Sequence, residues 1–568
     1  MKYLKLFKTD VDYQNYIESD DCIKPNVSYA QDTDNLYYNP RVDPIILTYE
    51  SNPAVMDICY YQGWAASPDE MHKSEAEKVT DIGTAFQGLQ GNTNTYGYGT
   101  YGYGSDDLTE EFTSFDEFKY FTGITSISDN AFKDCSKLTS ITIPDSVTSI
   151  GYYAFEGCSG LTSINIPNSV TSIGGYAFAN CRGLKSVTIG DSVTSIGYYA
   201  FEGCSRLTSI DISDSVTTIG EAAFKNCSEL TSVIIGNSVN HIYDKVFMDC
   251  SRLTSIVIPN SVTYIGIYAF ANCRGLKSVT IGDSVTSITN STFLGCSALT
   301  AVTIGSSVTS ISDSAFSNCS QLTSIIIPDS VTTIGDSAFR ECSQLTSCTI
   351  GNSVTTIGDS AFFECERLTS INIPNSVTSI GDSAFFGCER LTSINIPNSV
   401  TIISDQAFYA CKGLTSIVIP DSVITINRAV FCQCEGLLSI TIPDSVTTIG
   451  EHAFSGCKGL TSITIPNSVT TIGEHAFDDC TRLTSVILGD SVTSIGSWVF
   501  DGCSVLNSIK CLAPTAPTIL FNTFGNLSET HTGILYYPSG SDYSSWMKTD
   551  YWYLGYYHWT SREISQDI

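Results

Sequence analysis

The chain has 568 residues, with 58 acidic against 28 basic side chains, a formal net charge of −30 and a pI near 4.4. Only 15% of residues are charged while 42% are hydrophobic and 11% aromatic, so apolar material for a core is ample. The acidity argues against a nucleic-acid binder and against docking on an anionic membrane surface, both of which need a basic face, and no run is long and apolar enough to cross a bilayer.

The N-terminus, MKYLKLFKTDVDYQNY, has lysines but no apolar run behind them, because Asp10 and Asp12 interrupt it. No classical signal peptide is visible. Residues 1–90 read as a non-repeat region for attachment or targeting, with strand-like pieces NVSYA and NLYYN and a helix-like DEMHKSEAEKV. Residues 91–105, GNTNTYGYGTYGYGS, have the composition of a flexible Gly/Tyr linker. Residues 106–130 are expected to form an N-terminal cap, with Phe112, Phe115, Phe118 and Phe121 closing the open end of a stack.

From residue 131 to 510 the chain repeats. Seventeen of its 22 cysteines, from Cys135 and Cys158 to Cys480 and Cys503, stand at a constant step of 23 without one insertion. Disulfide frameworks and zinc sites show other spacings, so the ladder marks a solenoid of seventeen stacked coils. In the coil beginning at Cys135, Ile141 and Ile143 alternate with Ser140 and Thr142 as in a strand. Pro144-Asp145-Ser146 turns the chain, Val147 and Ile150 form a shorter strand, and Ala154, Phe155 and Cys158 suit one short helical turn. The expected class is therefore a repeat solenoid, mainly β with short helical turns. A column of free Cys is expected to be interior packing, each S–H reaching a carbonyl; Cys348 fits this, since it replaces an inward Ile.

Residues 511–568 begin APTAPTI and end in an aromatic cluster that includes Tyr543, Trp546, Trp552 and Trp559. The cluster is either a terminal cap or a surface that stacks on a sugar or receptor.

The unit L-T-S-I-x-I-P-x-S-V-T-x-I-G-x-x-A-F-x-x-C resembles the BspA-like, or Treponema-type, leucine-rich repeat. That resemblance implies a surface or secreted protein associated with adhesion, whose first strand lines a concave face open to partners. On that face the outward file Thr142, Asn165, Thr188, Asp211, Thr280, Thr303, Thr349, Asn372, Asn395, Thr441 and Thr464 is the candidate binding surface. Ile234 and Val257 interrupt the file, while the neighbouring Ser140 file is nearly constant. Tyr152, Tyr153, Tyr176, Tyr198 and Tyr199 are lateral aromatic candidates, replaced further along by Asp313, Asp336, Asp359, Asp382 and Asp405, which would cap the following turn. The turn column Asp145, Asn168, Asp191, Asp214, Asn237 and Asn260 reads as turn closure through each residue's own backbone, with a calcium file as the alternative.

Glu451-His452 and Glu474-His475 lie one coil apart but lack a third ligand type, so no metal site is expected, and no cofactor. Six His, no Ser-His-Asp grouping and no phosphate-binding loop behind a strand point to no enzyme. The expected function is a non-catalytic adhesin or receptor-recognition module for a protein or glycan on a host or partner cell. It would stand at the cell surface, be exported by a non-classical route or ride on a particle; the rival is a structural spacer or fibre element.

Overall fold

The computed structural model describes residues 30–31, 37–38, 43–87, 112–524, 531–547 and 557–564. The 91–105 stretch and Trp552 lie outside these residues. The chain forms two units, Met1–Val239 and Asn240–Ile568.

In the first unit the repeat produces two parallel ladders. Longer strands such as Ser163–Asn165 and Ser186–Thr188 pair residue for residue across one repeat, Ser163 with Ser186 and Asn165 with Thr188. Shorter strands such as Ser149–Ile150 and Ser172–Ile173 do the same on a second face. Alternation puts Ile164 and Ile173 inside, where both are buried. A single coil cannot bury its own apolar face, and each coil supplies the missing wall of the next. Phe155 and Phe178 stack with centroids 5.0 Å apart and planes at 2°, and Phe178 and Phe201 do so at 5.1 Å and 4°.

The segment expected to be a helical turn takes another form. Tyr153 has φ 57° and Gly157 φ 74°, both in the left-handed region, which breaks any helix. Alternate N–H groups leave the turn: Phe155 N–H donates to Ala177 O at 2.7 Å and Gly157 N–H to Ala179 O at 2.8 Å. Those between stay local, Cys158 N–H donating to Phe155 O at 3.2 Å. A helix would spend every N–H on itself and leave the next coil unbonded, so stacking selects the ladder of turns.

The start of the first unit is shut by residues from outside the repeat. Helix Pro53–Tyr61 lies between strands Ile45–Thr48 and Glu70–His72, which pair antiparallel. Asn52 donates its side-chain amide to Ser114 O at 2.7 Å, and Ser128 its hydroxyl to Asp81 at 2.6 Å. Phe86 takes the place a preceding coil's phenylalanine would hold. Its ring stacks on Phe132 at 5.3 Å, and its carbonyl accepts the Cys135 thiol at 2.8 Å. Phe112, Phe115, Phe118 and Phe121 are buried in the same cluster.

The second unit has two parallel ladders of its own in one-repeat register, for example Asn372 opposite Asn395 and Thr448 opposite Thr471. Its phenylalanine column includes Phe362 and Phe385 at 5.4 Å and 1°. At the C-terminal end, Ser508–Cys511 pairs parallel with His531–Pro538, and that strand with Tyr557–Ile564. Trp546 is fully buried there, donating its indole N–H to Pro517 O at 2.9 Å, and the Tyr543 hydroxyl donates to Ala513 O at 2.8 Å. Trp546 is therefore end-closing core and is unavailable as a stacking surface for a ligand. Trp559 is partly exposed and packs edge-on against Phe524 at 5.2 Å.

Candidate functional site: two surfaces on the coil

The thiol column is buried wherever it is described. Along the column the Sγ donates to the carbonyl of the phenylalanine 26 positions earlier, at 3.0 Å for Cys158–Phe132 and 3.4 Å for Cys388–Phe362, while Cys135 at its start reaches Phe86 O at 2.8 Å. Burial pushes the thiols of Cys296 and Cys342 up to about 12. A thiolate nucleophile needs the opposite environment, so these sulfurs are packing groups.

The polar columns are ladders between coils. Thr171 sends both its N–H and its hydroxyl to Thr148 O, at 2.8 Å and 3.1 Å, and Thr194 repeats this on Thr171 O. The turn-column side chains act likewise: Asn168 Oδ1 accepts the N–H of Asp191 at 3.0 Å, and Asp329 Oδ1 that of Asn352 at 2.8 Å. Turn closure through the residue's own backbone is thus corrected to closure onto the next coil. Asp and Asn interchange because each offers the same acceptor oxygen. The second acidic column is corrected in the same way. Asp313 Oδ1 accepts the N–H of Asp336 at 3.0 Å, and Asp336 Oδ1 that of Asp359 at 2.8 Å, so neither caps its own turn.

Beside these ladder columns, the first-strand file is an exposed outward column whose side chain varies from coil to coil. Thr142, Asn165, Thr188 and Asp211 are exposed in the first unit. Thr280, Thr303, Thr349, Asn372, Asn395, Thr441 and Thr464 are exposed in the second. Strand pairing lines up Thr280 with Thr303, and Thr349 with Asn372 and Asn395. The same file carries bare hydrocarbon: Ile234 and Val257 are 57% and 64% exposed, Ile326 and Val418 70% and 71%. Ile326 and Val418 were not singled out from the sequence, although the 23-residue step that located Thr142 also reaches them.

The lateral tyrosines meet in one cluster of the first unit. Tyr153, Tyr176 and Tyr199 stack face to face, at 4.8 Å and 10° and at 4.7 Å and 1°. Tyr198 stands perpendicular to Tyr176, 88° at 5.4 Å, and Tyr152 lies 6.1 Å from Tyr198 at 41°. Lys133 sits 4.8 Å over the Tyr153 ring and pairs with Glu156 at 2.7 Å.

Two further aromatic files lie in the second unit. His452 stacks on His475 at 4.7 Å, and His475 on Trp498 at 5.1 Å, both at 8°. The imidazoles face each other rather than converging on a point, and among the described residues no three His, Cys, Asp or Glu groups come together to hold a metal. Burial first, then the neighbouring His475, holds His452 below its ordinary value. The second file, Phe363, Phe386 and Tyr409, stacks at 4.6 Å per step under Arg340, 4.2 Å from the Phe363 ring. Its trace in the sequence is the residue after each core phenylalanine in AFFEC, AFFGC and AFYAC.

Each unit is a β-solenoid of parallel ladders in one-repeat register, which defines the leucine-rich repeat class. The model of the BspA type leucine rich repeat region matches residues 125–254, 240–367, 355–482 and 424–534, and the chain belongs to that family. It is similar to a leucine-rich repeat protein from Bacteroides ovatus, 35% identical with a TM-score of 0.54, over 62% of this chain and 87% of that one. It is also similar to a leucine rich cell surface protein from Faecalibacterium prausnitzii, 30% identical with a TM-score of 0.32, over 64% of this chain and 83% of that one. No curated protein matches. Among the described residues no helix is long and apolar enough to cross a membrane.

Proposed function

We propose that this chain is a non-catalytic recognition module of the adhesin type, working at a cell surface and holding a protein partner on its first-strand face. One observation carries this reading. The Thr, Asp and Asn side chains of the ladder columns, and the Cys column, bond the next or preceding coil, whereas the first-strand file changes among Thr, Asn, Asp, Ile and Val while staying exposed. A file of hydroxyl and amide groups broken by bare Ile and Val matches the mixed polar and apolar make-up of a protein interface. Fixed parallel strands also bring these side chains to a partner already ordered, which lowers the entropic cost of binding.

The test uses the full chain against a panel of extracellular proteins and glycans. It compares two variants, Thr142→Lys with Thr188→Lys in the first unit, and Thr280→Lys with Thr349→Lys in the second. A captured protein whose affinity falls at least about tenfold in either variant supports the reading. Capture that neither variant changes removes the first-strand face. No capture at all leaves the chain as the spacer element, with its length as its function.

A further inference from the structure

We propose that Tyr152 and Tyr198, backed by the stack of Tyr153, Tyr176 and Tyr199, form a binding platform for a neutral β-linked oligosaccharide. This platform stands apart from the first-strand file and does not rest on it.

The tyrosines are not needed to build the coil. Tyr152 and Tyr198 occupy the column that elsewhere holds Asp336 and Asp359, and those coils stack in the same register. Tyr153, Tyr176 and Tyr199 sit at φ 57°, 57° and 55°, where any residue with a side chain is strained, and the equivalent Ser337 and Ser360 do the structural job with far less hydrocarbon. Yet Tyr152 and Tyr198 leave 47% and 43% of their surface in water. Large rings held out of the core in one place, on three successive coils, are what a contact surface requires.

Gly175 sets the shape. It stands between Tyr152 and Tyr198 in the column, and a Cβ there would lie 2.8 Å from Tyr198 Cζ and within 3.0 Å of both neighbouring ring atoms. Such near-equal distances mean that the Tyr198 ring lies face-down over the glycine, with its other face turned outward. Tyr176 and Tyr199 hold it from the side at 88°. Tyr152 inclines to it at 41°, so the two rings make a shallow V with little rotamer freedom left to lose on binding.

The rim decides the ligand class. Its acids are engaged: Lys133 pairs with Glu156 at 2.7 Å and Lys225 with Glu202 at 3.1 Å, the Tyr199 hydroxyl donates to Glu221 at 3.3 Å, and Asp129 accepts the backbone N–H of Tyr152 at 2.7 Å. A polyanion would meet a chain of net charge −30, and the rim cations Lys133 and Lys225 are already paired with Glu156 and Glu202. A β-linked pyranose chain is flat and uncharged, its C–H faces suit the outward rings, and its hydroxyls find carboxylates, ammonium groups and phenols at the edge.

The experiment is affinity electrophoresis of the full chain in gels containing hydroxyethyl cellulose, glucomannan or xylan, with cellohexaose titration for the affinity. At least one polysaccharide retards the wild type. Tyr152→Asp with Tyr198→Asp weakens binding at least about tenfold, while Tyr152→Phe with Tyr198→Phe keeps the rings and stays within about threefold. Aspartate is the residue of the same column in later coils, so an unchanged melting curve is expected for the Asp variant. Thr142→Lys with Thr188→Lys leaves retardation unchanged, which separates this platform from the first-strand face. No retardation in any of the three gels overturns the proposal, as does equal retardation of the Asp variant. Loss of protein capture in the Asp variant without polysaccharide binding assigns the platform to a protein instead.

Discussion

The carboxylate of Asp359 accepts the backbone N–H of Asp382 at 2.7 Å, and Asp382 in turn accepts that of Asp405 at 3.1 Å. The ladder satisfies a backbone donor in each coil but stacks like charges. Burial, then repulsion from Asp359 and Asp405, raises Asp382 above the ordinary carboxylate value. A raised acid binds more protons in the folded than in the unfolded state, so stability falls as pH rises through the window between the two values. Asp382→Asn keeps the acceptor and removes the charge. It is expected to raise Tm at pH 7, and the gain is expected to vanish on acidification, once Asp382 holds its own proton. Melting curves of both proteins across pH check this; an Asn variant less stable at pH 7 refutes it.

The stacked imidazoles respond in the opposite direction. His452 is held below its ordinary 6.5 by burial and by His475, with Arg428 adding to this and Glu451 and Asp478 working against it. The unfolded chain therefore binds more protons just below pH 6.5, and stability drops as pH falls through that window. His452→Ser, which installs the residue of Ser337 and Ser360, is expected to flatten the loss between about pH 7 and pH 5. Urea midpoints at a series of pH values measure it.

A second threonine ladder, on the column of Thr369, Thr392 and Thr415, has a gap at Leu438. Its N–H still reaches Thr415 O at 3.1 Å, but it has no hydroxyl to give, and its side chain is 53% exposed. Leu438→Thr restores the second bond seen from Thr415 to Thr392 O at 3.4 Å. The expected gain is about 0.5–1 kcal/mol in urea unfolding. Thr369→Val, which removes the bond to Thr346 O at 3.2 Å, is expected to cost a similar amount.

Buried thiols should not react in the folded protein. With Cys342 fully buried, pushed up to about 12 and donating to Phe316 O at 3.3 Å, iodoacetamide at about pH 8 is expected to leave it unmodified until urea unfolds the chain. Mapping of alkylated peptides reads this directly. Cys342→Ala loses the thiol's bond and leaves a small void, for a cost of about 1–3 kcal/mol.

Much of the architecture was legible because a fixed step puts like residues on like places. Ile141, Ile143, Val147, Ile150, Phe155 and Cys158, picked out from one coil's pattern, are all buried. The partners of polar side chains were not legible in the same way. Within one coil Asp336 precedes a turn and reads as its cap; its actual donor is Asp359, 23 positions on, and donor and acceptor belong to the same column. Phe86 had no local signal at all, because its role is defined by the ring and thiol it meets, Phe132 and Cys135. His452 and His475 were visible, but reading each with its adjacent Glu drew attention from Trp498, which stands in their own column. The binding surfaces were legible as columns; the ligand was not, since exposure and shape arise only when coils are stacked.

Glu366–Thr378 and Glu389–Thr401 are the same thirteen-residue string, ERLTSINIPNSVT, displaced by one repeat. Because the ladder bonds join equivalent places one step apart, splicing the first string onto the second would excise 23 residues and still leave Thr355 facing a threonine column in phase. Such near-copies invite unequal crossing-over in the encoding gene. Reach can then be lengthened or shortened in whole increments without redesigning either end, and the protein's dimension becomes something heredity adjusts by counting.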